Sequence, residues 1–156
     1  MSHERGTRVL LFRLNYAVDL RYGTLVDIAR RVQNGDGVDL TVGWLNALWQ
    51  GDANSYAIRS LALCTSPATV LNVTGPERIS VREVATRFGH ELGKTVRFRG
   101  TEGPLALLSD ASRCVARLGP SEVPLDRLLA WVAHWVRIGG ASLNKPTHFE
   151  VADGRY

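Results

Sequence analysis

Thr69-Val-Leu-Asn-Val-Thr-Gly-Pro-Glu-Arg-Ile-Ser-Val-Arg-Glu83 holds an apolar run, a turn and a helix start in one short span. Thr69 to Val73 is strand-like, and Thr74-Gly75-Pro76 bounds it, because Gly and Pro punctuate regular structure. Ser80-Val-Arg-Glu83 matches the capping box, in which the Ser hydroxyl accepts from the N3 amide while the Glu carboxylate reaches back to the cap amide. The helix it opens buries Val81, Val84, Ala85, Phe88 and Leu92 on one side, and Gly93 ends it at the position favoured for a left-handed residue. A strand feeding an amphipathic helix is the unit from which α/β folds are built.

The same alternation extends both ways. Upstream, Arg8 to Leu14 is nearly continuous in apolar character and predicts a strand buried on both faces, as in parallel sheets. Thr24 and Asp27 form a capping-box-like pair ahead of Leu25, Ile28, Ala29 and Val32, whose spacing predicts a helix stopped at Asn34-Gly35. A weak strand is expected over Val38 to Val42. Asp52 then stands as the N-cap of a helix carrying Tyr56, Ala57, Leu61 and Cys64 on one side, closed by Pro67. Downstream, Val96 and Phe98 alternate with polar neighbours as in a half-exposed strand. A short helix is expected from Asp110 to Leu118 and a longer one from Pro124, with Leu125, Leu128, Leu129, Val132, Trp135 and Val136 as its apolar stripe. The remaining tail is polar and irregular, with Phe149 and Val151 available to dock it. Residues 1–138 therefore read as one unit and 139–156 as a polar tail.

Composition sets the outer bounds. The chain has 156 residues, 45% hydrophobic and 22% charged, with a mean hydropathy of −0.06, enough apolar material for one core and not for two domains. No stretch approaches the roughly 18 apolar residues of a membrane span, since even Leu128 to Ile138 is interrupted by His134 and Arg137. The charged amino terminus lacks the apolar core of a secretory signal, so the expected compartment is the cytoplasm. Net charge is +4 and the isoelectric point about 9.5, yet the basic residues are scattered, with Arg30-Arg31 and Arg97/Arg99 the tightest groups. No nucleic-acid patch is predicted. Ile79 to Gly89 imitates the start of a helix-turn-helix, but Gly93 and the strand-like residues after it leave no room for a recognition helix. Cys64 and Cys114 lie far apart with no Cys-x-x-Cys, and read as reduced core residues, not metal ligands. There is no Gly-x-Ser-x-Gly elbow, and His90, His134 and His148 read as ordinary surface or core histidines, not bases.

Five segments taken in order carry a resemblance: Leu11-Phe-Arg-Leu-Asn15-Tyr, Trp49-Gln-Gly-Asp52-Ala, Val70-Leu-Asn-Val-Thr-Gly-Pro-Glu77, Ile79-Ser-Val-Arg-Glu-Val84 and Ser109-Asp-Ala-Ser112. Together they resemble the carboxy-terminal half of the extended short-chain dehydrogenase/reductase family, more narrowly its NAD-dependent epimerase/dehydratase group. The resemblance implies the C-terminal part of a Rossmann-like NAD(P)-binding fold, with the last parallel strands and the small substrate-binding lobe. It implies NAD or NADP as cofactor and a sugar-like small molecule as substrate. The family's glycine-rich dinucleotide turn is absent, and so is Tyr-x-x-x-Lys, since neither Lys94 nor Lys145 lies four residues after a tyrosine. The expectation is thus a chain that is inactive alone, has no catalytic residue of its own, and works with an amino-terminal Rossmann half. A non-catalytic binding or assembly module on the same scaffold is the alternative.

By the resemblance, Asn15, Tyr16 and Ala17 pass beside the cofactor, and Asn15 also faces substrate. Read without it, Asn15 is a strand-ending residue that opens a turn, and both readings stand at this stage. Two departures from the family pattern bear on the ligand. Val18-Asp19 stands where many members have Gly-Pro, and the loop before the Asp52 helix offers Asn46 where sugar-nucleotide enzymes have an Arg that grips a diphosphate. Trp44, Asn46, Trp49 and Gln50 suit a flatter or less charged ligand, the tryptophans reading equally as packing against further chain. Interior strands left with open edges also predict homo-oligomers.

Overall fold

A computed structural model of the chain describes residues 2–102, 106–145, 147 and 149. His148 and Val151, singled out above, lie outside them. A short helix, α1 (Ser2–Arg5), leads into β1 (Leu10–Leu14) and β2 (Ala17–Val18), followed by α2 (Thr24–Asn34), β3 (Gly37–Asp39), β4 (Trp44–Leu45) and β5 (Leu48–Trp49). Then come α3 (Gln50–Arg59) with a 3-10 turn over Ser60–Leu63, β6 (Thr69–Val73), β7 (Ile79–Ser80) and α4 (Val81–Leu92). The rest is β8 (Arg97–Arg99), β9 (Ala106–Leu107), α5 (Ser112–Leu118) and α6 (Leu125–Arg137). Among the described residues no helix is long and apolar enough to cross a membrane.

The fold is mixed α/β, with most strand pairs parallel. β1 and β6 run parallel with Leu10 opposite Thr69 and Leu14 opposite Val73, and parallel pairs also join β2 to β5, β3 to β8 and β4 to β9. Thr69 N–H donates to the Val9 carbonyl and Asn15 N–H to the Val73 carbonyl, both at the β1–β6 seam. Strand alternation then turns the peptide groups of Leu10, Phe12 and Leu14 toward the other edge of β1, which has no strand partner among the described residues. The same alternation turns the Val70 carbonyl to the outer edge of β6, where the Arg113 guanidinium covers it at 3.3 Å.

This explains why β1 departs from its predicted burial on both faces. Leu10 and Phe12 pack with Leu71, Val73, Tyr56 and Cys114 beneath α3 and α5, whereas Leu11 is 47% exposed and Arg13 is exposed on the opposite face. A run apolar on both sides is covered here on one.

The larger core lies among α2, α4 and α6, whose Leu25, Ile28, Phe88, Leu128, Leu129 and Val132 interlock with Val38 and Leu40 of the β3 region. The α4 start follows its expected chemistry: Ser80 Oγ accepts from the Glu83 amide at 3.2 Å, and Gly93 is left-handed at φ 65°. Gly35 closes α2 in the same way at φ 77°.

Two other caps are corrected. Thr24 is the first residue of α2, not its cap; Gly23 occupies the cap position and no side chain caps it. Asp52 lies inside α3, which Trp49 precedes, and its carboxylate accepts from the Glu122 and Val123 amides at 3.3 and 3.1 Å. In both cases the carboxylate serves a distant partner in place of the local amides. The apolar side expected for α3 also changes. The chain tightens at Ser60, which turns Ser60 inward and leaves Ala57 and Leu61 exposed, and Cys64 is only half-buried while Cys114 is buried.

Beyond α6 the chain turns back onto the body. Arg30 donates to the Gly140 carbonyl at 2.9 Å, Trp135 Nε1 to the Ala141 carbonyl at 3.0 Å, and Leu143 N–H to the Arg21 carbonyl at 3.1 Å. Phe149 is 2% exposed within the larger core, as its expected docking requires.

Candidate functional site

Ligands of open α/β sheets gather beyond the carboxyl ends of the strands, because loops there can diverge around a crevice. Asn15 leaves β1 at that end. Its amide N–H continues the ladder to Val73, and its side-chain Nδ2 donates to Asn46 Oδ1 at 2.9 Å. Asn46 is 5% exposed, and its amide group also grips Ser109 twice, donating to the carbonyl at 2.8 Å and accepting from the N–H at 3.2 Å. One buried amide thus joins the end of β1 to the segment entering α5. That bond uses one N–H of Nδ2, and Asn15 Oδ1 has no hydrogen-bond partner among the described residues, so it remains available as an acceptor. Asn72 repeats the pattern, its Nδ2 donating to the Asp110 carbonyl at 3.3 Å. Both line a cleft of about 510 Å³ together with Arg13, Tyr16, Ser109 and Asp110. The Ser112 amide, 2.8 Å from Asp110 Oδ1, holds that carboxyl below the usual carboxylate range.

Tyr16 adopts a left-handed backbone at φ 43°, uncommon for a residue with a Cβ, and this bend swings the chain from β1 into β2. Beyond it lies a second cavity of about 280 Å³, walled by Tyr16, Ala17, Gly23, Thr24, Gln50 and Thr147. The amino terminus of α2 opens here. Its first amides have no side-chain cap, and the Thr24 hydroxyl is buried without a hydrogen-bond partner in a residue 1% exposed. Gly23 suits the position because its φ of 130° disfavours a side chain and a Cβ would stand 3.1 Å from Val18 Cα. Unpaired first-turn amides at the positive end of a helix dipole favour an anionic or strongly polar group.

The residues singled out from the sequence fall into four groups. Asn15 and Tyr16 line the larger cleft, Tyr16, Ala17 and Gln50 the smaller, and Asn46 ties the larger cleft together from behind. Trp44 and Trp49 stand outside both. The Arg78 guanidinium lies 3.8 Å from the centroid of the Trp44 ring, and Trp49 meets Trp131 edge-on at 5.5 Å and 75°. Asn72, Ser109, Asp110, Gly23, Thr24 and Thr147 were not anticipated. Asn72, Ser109 and Asp110 sit in segments quoted for the resemblance, but only the Asn46–Ser109 and Asn72–Asp110 contacts bring them together at the cleft. Thr147 lay in a tail without pattern.

No protein-family model matches the chain, and no curated protein matches it. Solved structures do. UDP-glucuronic acid 4-epimerase from Bacillus cereus in complex with NAD is similar over 87% of this chain and 47% of its own, at 13% identity and a TM-score of 0.69. UDP-glucose 4-epimerase from Thermotoga maritima with UDP-glucose is similar over 88% and 48%, at 15% identity and 0.67. RMD from Pseudomonas aeruginosa complexed with NADPH is similar over 88% and 51%, at 15% identity and 0.68. The chain shares the fold of one part of these NAD(P)-bound and UDP-glucose-bound enzymes. The chain spans about half the length of these three proteins. The turn after β1 leads to a strand, and Gly75, after β6, is used to bring backbone against backbone: a Cβ there would stand 2.1 Å from the Ala47 carbonyl oxygen.

Proposed function

We propose that this chain is the substrate-binding, carboxy-terminal portion of an NAD(P)-dependent epimerase- or dehydratase-like oxidoreductase acting in the cytoplasm, inactive by itself. It works with a dinucleotide-binding half that carries the glycine-rich turn and the Tyr-x-x-x-Lys pair. Residues 1–138 form the lobe and 139–156 an appended segment. The observation that carries the reading is the Asn15–Asn46–Ser109 link, which fixes Asn15 at the carboxyl end of the parallel pair with its acceptor free, beside a cleft. The open edge of β1 supports it, since an interior parallel strand expects a neighbour there.

A sugar-like substrate fits the donors and acceptors. The Oδ1 atoms of Asn15 and Asn72, without hydrogen-bond partners among the described residues, can accept from hydroxyl groups, while the start of α2, which no side chain caps, and the Thr24 hydroxyl can receive a polar or anionic end. Some solved structures of this fold were obtained with UDP-glucose or with NAD+ and UDP. In the complete protein NAD(P) would supply reversible hydride transfer, with Tyr16 and Ala17 passing its reactive end. This chain's own part is to bind and orient the substrate. An unpartnered β1 edge also leads to homo-oligomers of the isolated chain.

The test is a titration of the purified chain with UDP-glucose, NAD and NADP. Saturable UDP-glucose binding, weakened about tenfold in Asn15→Ala, is expected, with no micromolar binding of either dinucleotide. Tight NAD binding by this chain alone would refute the division of labour, and absence of UDP-glucose binding would refute the substrate reading.

A further inference from the structure

The carboxy-terminal segment touches the smaller cavity at one described residue, Thr147. That residue is held by Asp27 of α2, whose Oδ2 accepts from both the Thr147 amide at 3.0 Å and its hydroxyl at 2.5 Å. The carboxylate therefore makes two charge-assisted bonds to a segment 120 positions away, and two such bonds from one oxygen fix both the backbone and the χ1 of Thr147. On either side the segment is anchored, by the Gly140 and Ala141 carbonyls before it and by buried Phe149 after it. Tyr16, Ala17 and Gln50 line the same cavity, as does Thr24, whose hydroxyl has no hydrogen-bond partner among the described residues.

We propose that Asp27 is a positioning residue that holds Thr147 as one wall of this cavity, so that ligand entry and docking of the carboxy-terminal segment are thermodynamically linked. This rests on reading the cavity as part of the substrate site. A ligand that contacts the docked wall binds the docked state better, and by reciprocity its binding must tighten the docking. The acidic residue in the first turn of α2 is thus turned away from local capping and spent on shaping the wall.

The experiment follows amide exchange of Thr147 by NMR in the full chain, with and without UDP-glucose as probe, alongside UDP-glucose affinity in Asp27→Asn, Thr147→Val and Thr147→Ser. UDP-glucose is expected to slow Thr147 exchange about tenfold or more. Asp27→Asn and Thr147→Val are expected to weaken UDP-glucose binding about tenfold, and Thr147→Ser, which keeps the hydroxyl, to bind as the parent does. A merely structural contact would not produce ligand-dependent protection. If the parent binds UDP-glucose while both weakening variants bind it equally well, or Thr147 exchange ignores the ligand, the wall is refuted and the site reading stands. If the parent does not bind UDP-glucose, the site reading falls and the linkage with it. Should Asp27→Asn unfold, Thr147→Val decides alone.

Discussion

Replacing Asn46 by Ala removes three hydrogen bonds at once: from Asn15 Nδ2 at 2.9 Å, from the Ser109 N–H at 3.2 Å, and to the Ser109 carbonyl at 2.8 Å. Asn15 and Ser109 are only half-buried, so water can reach part of what is left unpaired. Each lost bond then costs about 1 kcal/mol, not the full penalty of an orphaned buried group. The sum is about 2–4 kcal/mol, a large share of the roughly 5–15 kcal/mol stability typical of a domain. Asn46→Asp sharpens the test. It keeps an acceptor for two donors but turns a carboxylate oxygen toward the Ser109 carbonyl, and about 2 kcal/mol or more should be lost. Urea unfolding of the parent and both variants measures this, with Gln50→Ala as control, since its one described bond, to Asn54 at 2.9 Å, is exposed and should cost less than about 0.5 kcal/mol. An Asn46→Ala chain within about 0.5 kcal/mol of the parent would refute the idea that this amide joins β1 to the α5 segment.

Three further outcomes follow from single residues. Ser80→Ala removes the acceptor for the Glu83 amide and should lower stability by about 1 kcal/mol in urea unfolding, while Ser80→Asp should largely retain it. The Tyr56 phenol, which donates to the Gly119 carbonyl at 2.9 Å, has its pKa pushed up to about 12, chiefly by burial and then by nearby Cys114 and Asp52. Because the folded state holds this proton more tightly, its stabilising contribution is whole below about pH 10 and is lost as pH rises toward 12, and an absorbance titration should show one tyrosine ionising late. Leu11→Arg places a charge on the bare face of β1 and should shift the isolated chain toward monomer in sedimentation; an unchanged distribution would count against association through that strand.

What could be read from the sequence was what is decided within a few residues. The Ser80 cap, the α4 stripe ending at Gly93, and the apolar runs of β1 and β6 depend on neighbours along the chain. Asp27 and Asp52 look like helix-start residues by composition, yet each carboxylate is taken by backbone or hydroxyl groups remote in sequence, Thr147 for one and Glu122 with Val123 for the other. Two-residue strands such as β2, β4, β5, β7 and β9 carry no periodicity to detect. At the site, Asn15 is singled out by the family resemblance of the segment it belongs to, while its place after a strand alone says only that a turn begins. Its geometry depends on Asn46 and Ser109, brought together only by the folded chain.

Neither rim of the β1–β6 pair has a strand partner among the described residues, but they are unlike in that the Arg113 side chain covers the Val70 carbonyl on the β6 rim. A stray strand pairing with β6 would have to displace that guanidinium, a cost that pairing with β1 does not carry. Joining two copies at their β1 rims is therefore the easier step, and lengthening such a pair into a ribbon would require Arg113 to be moved aside at each end.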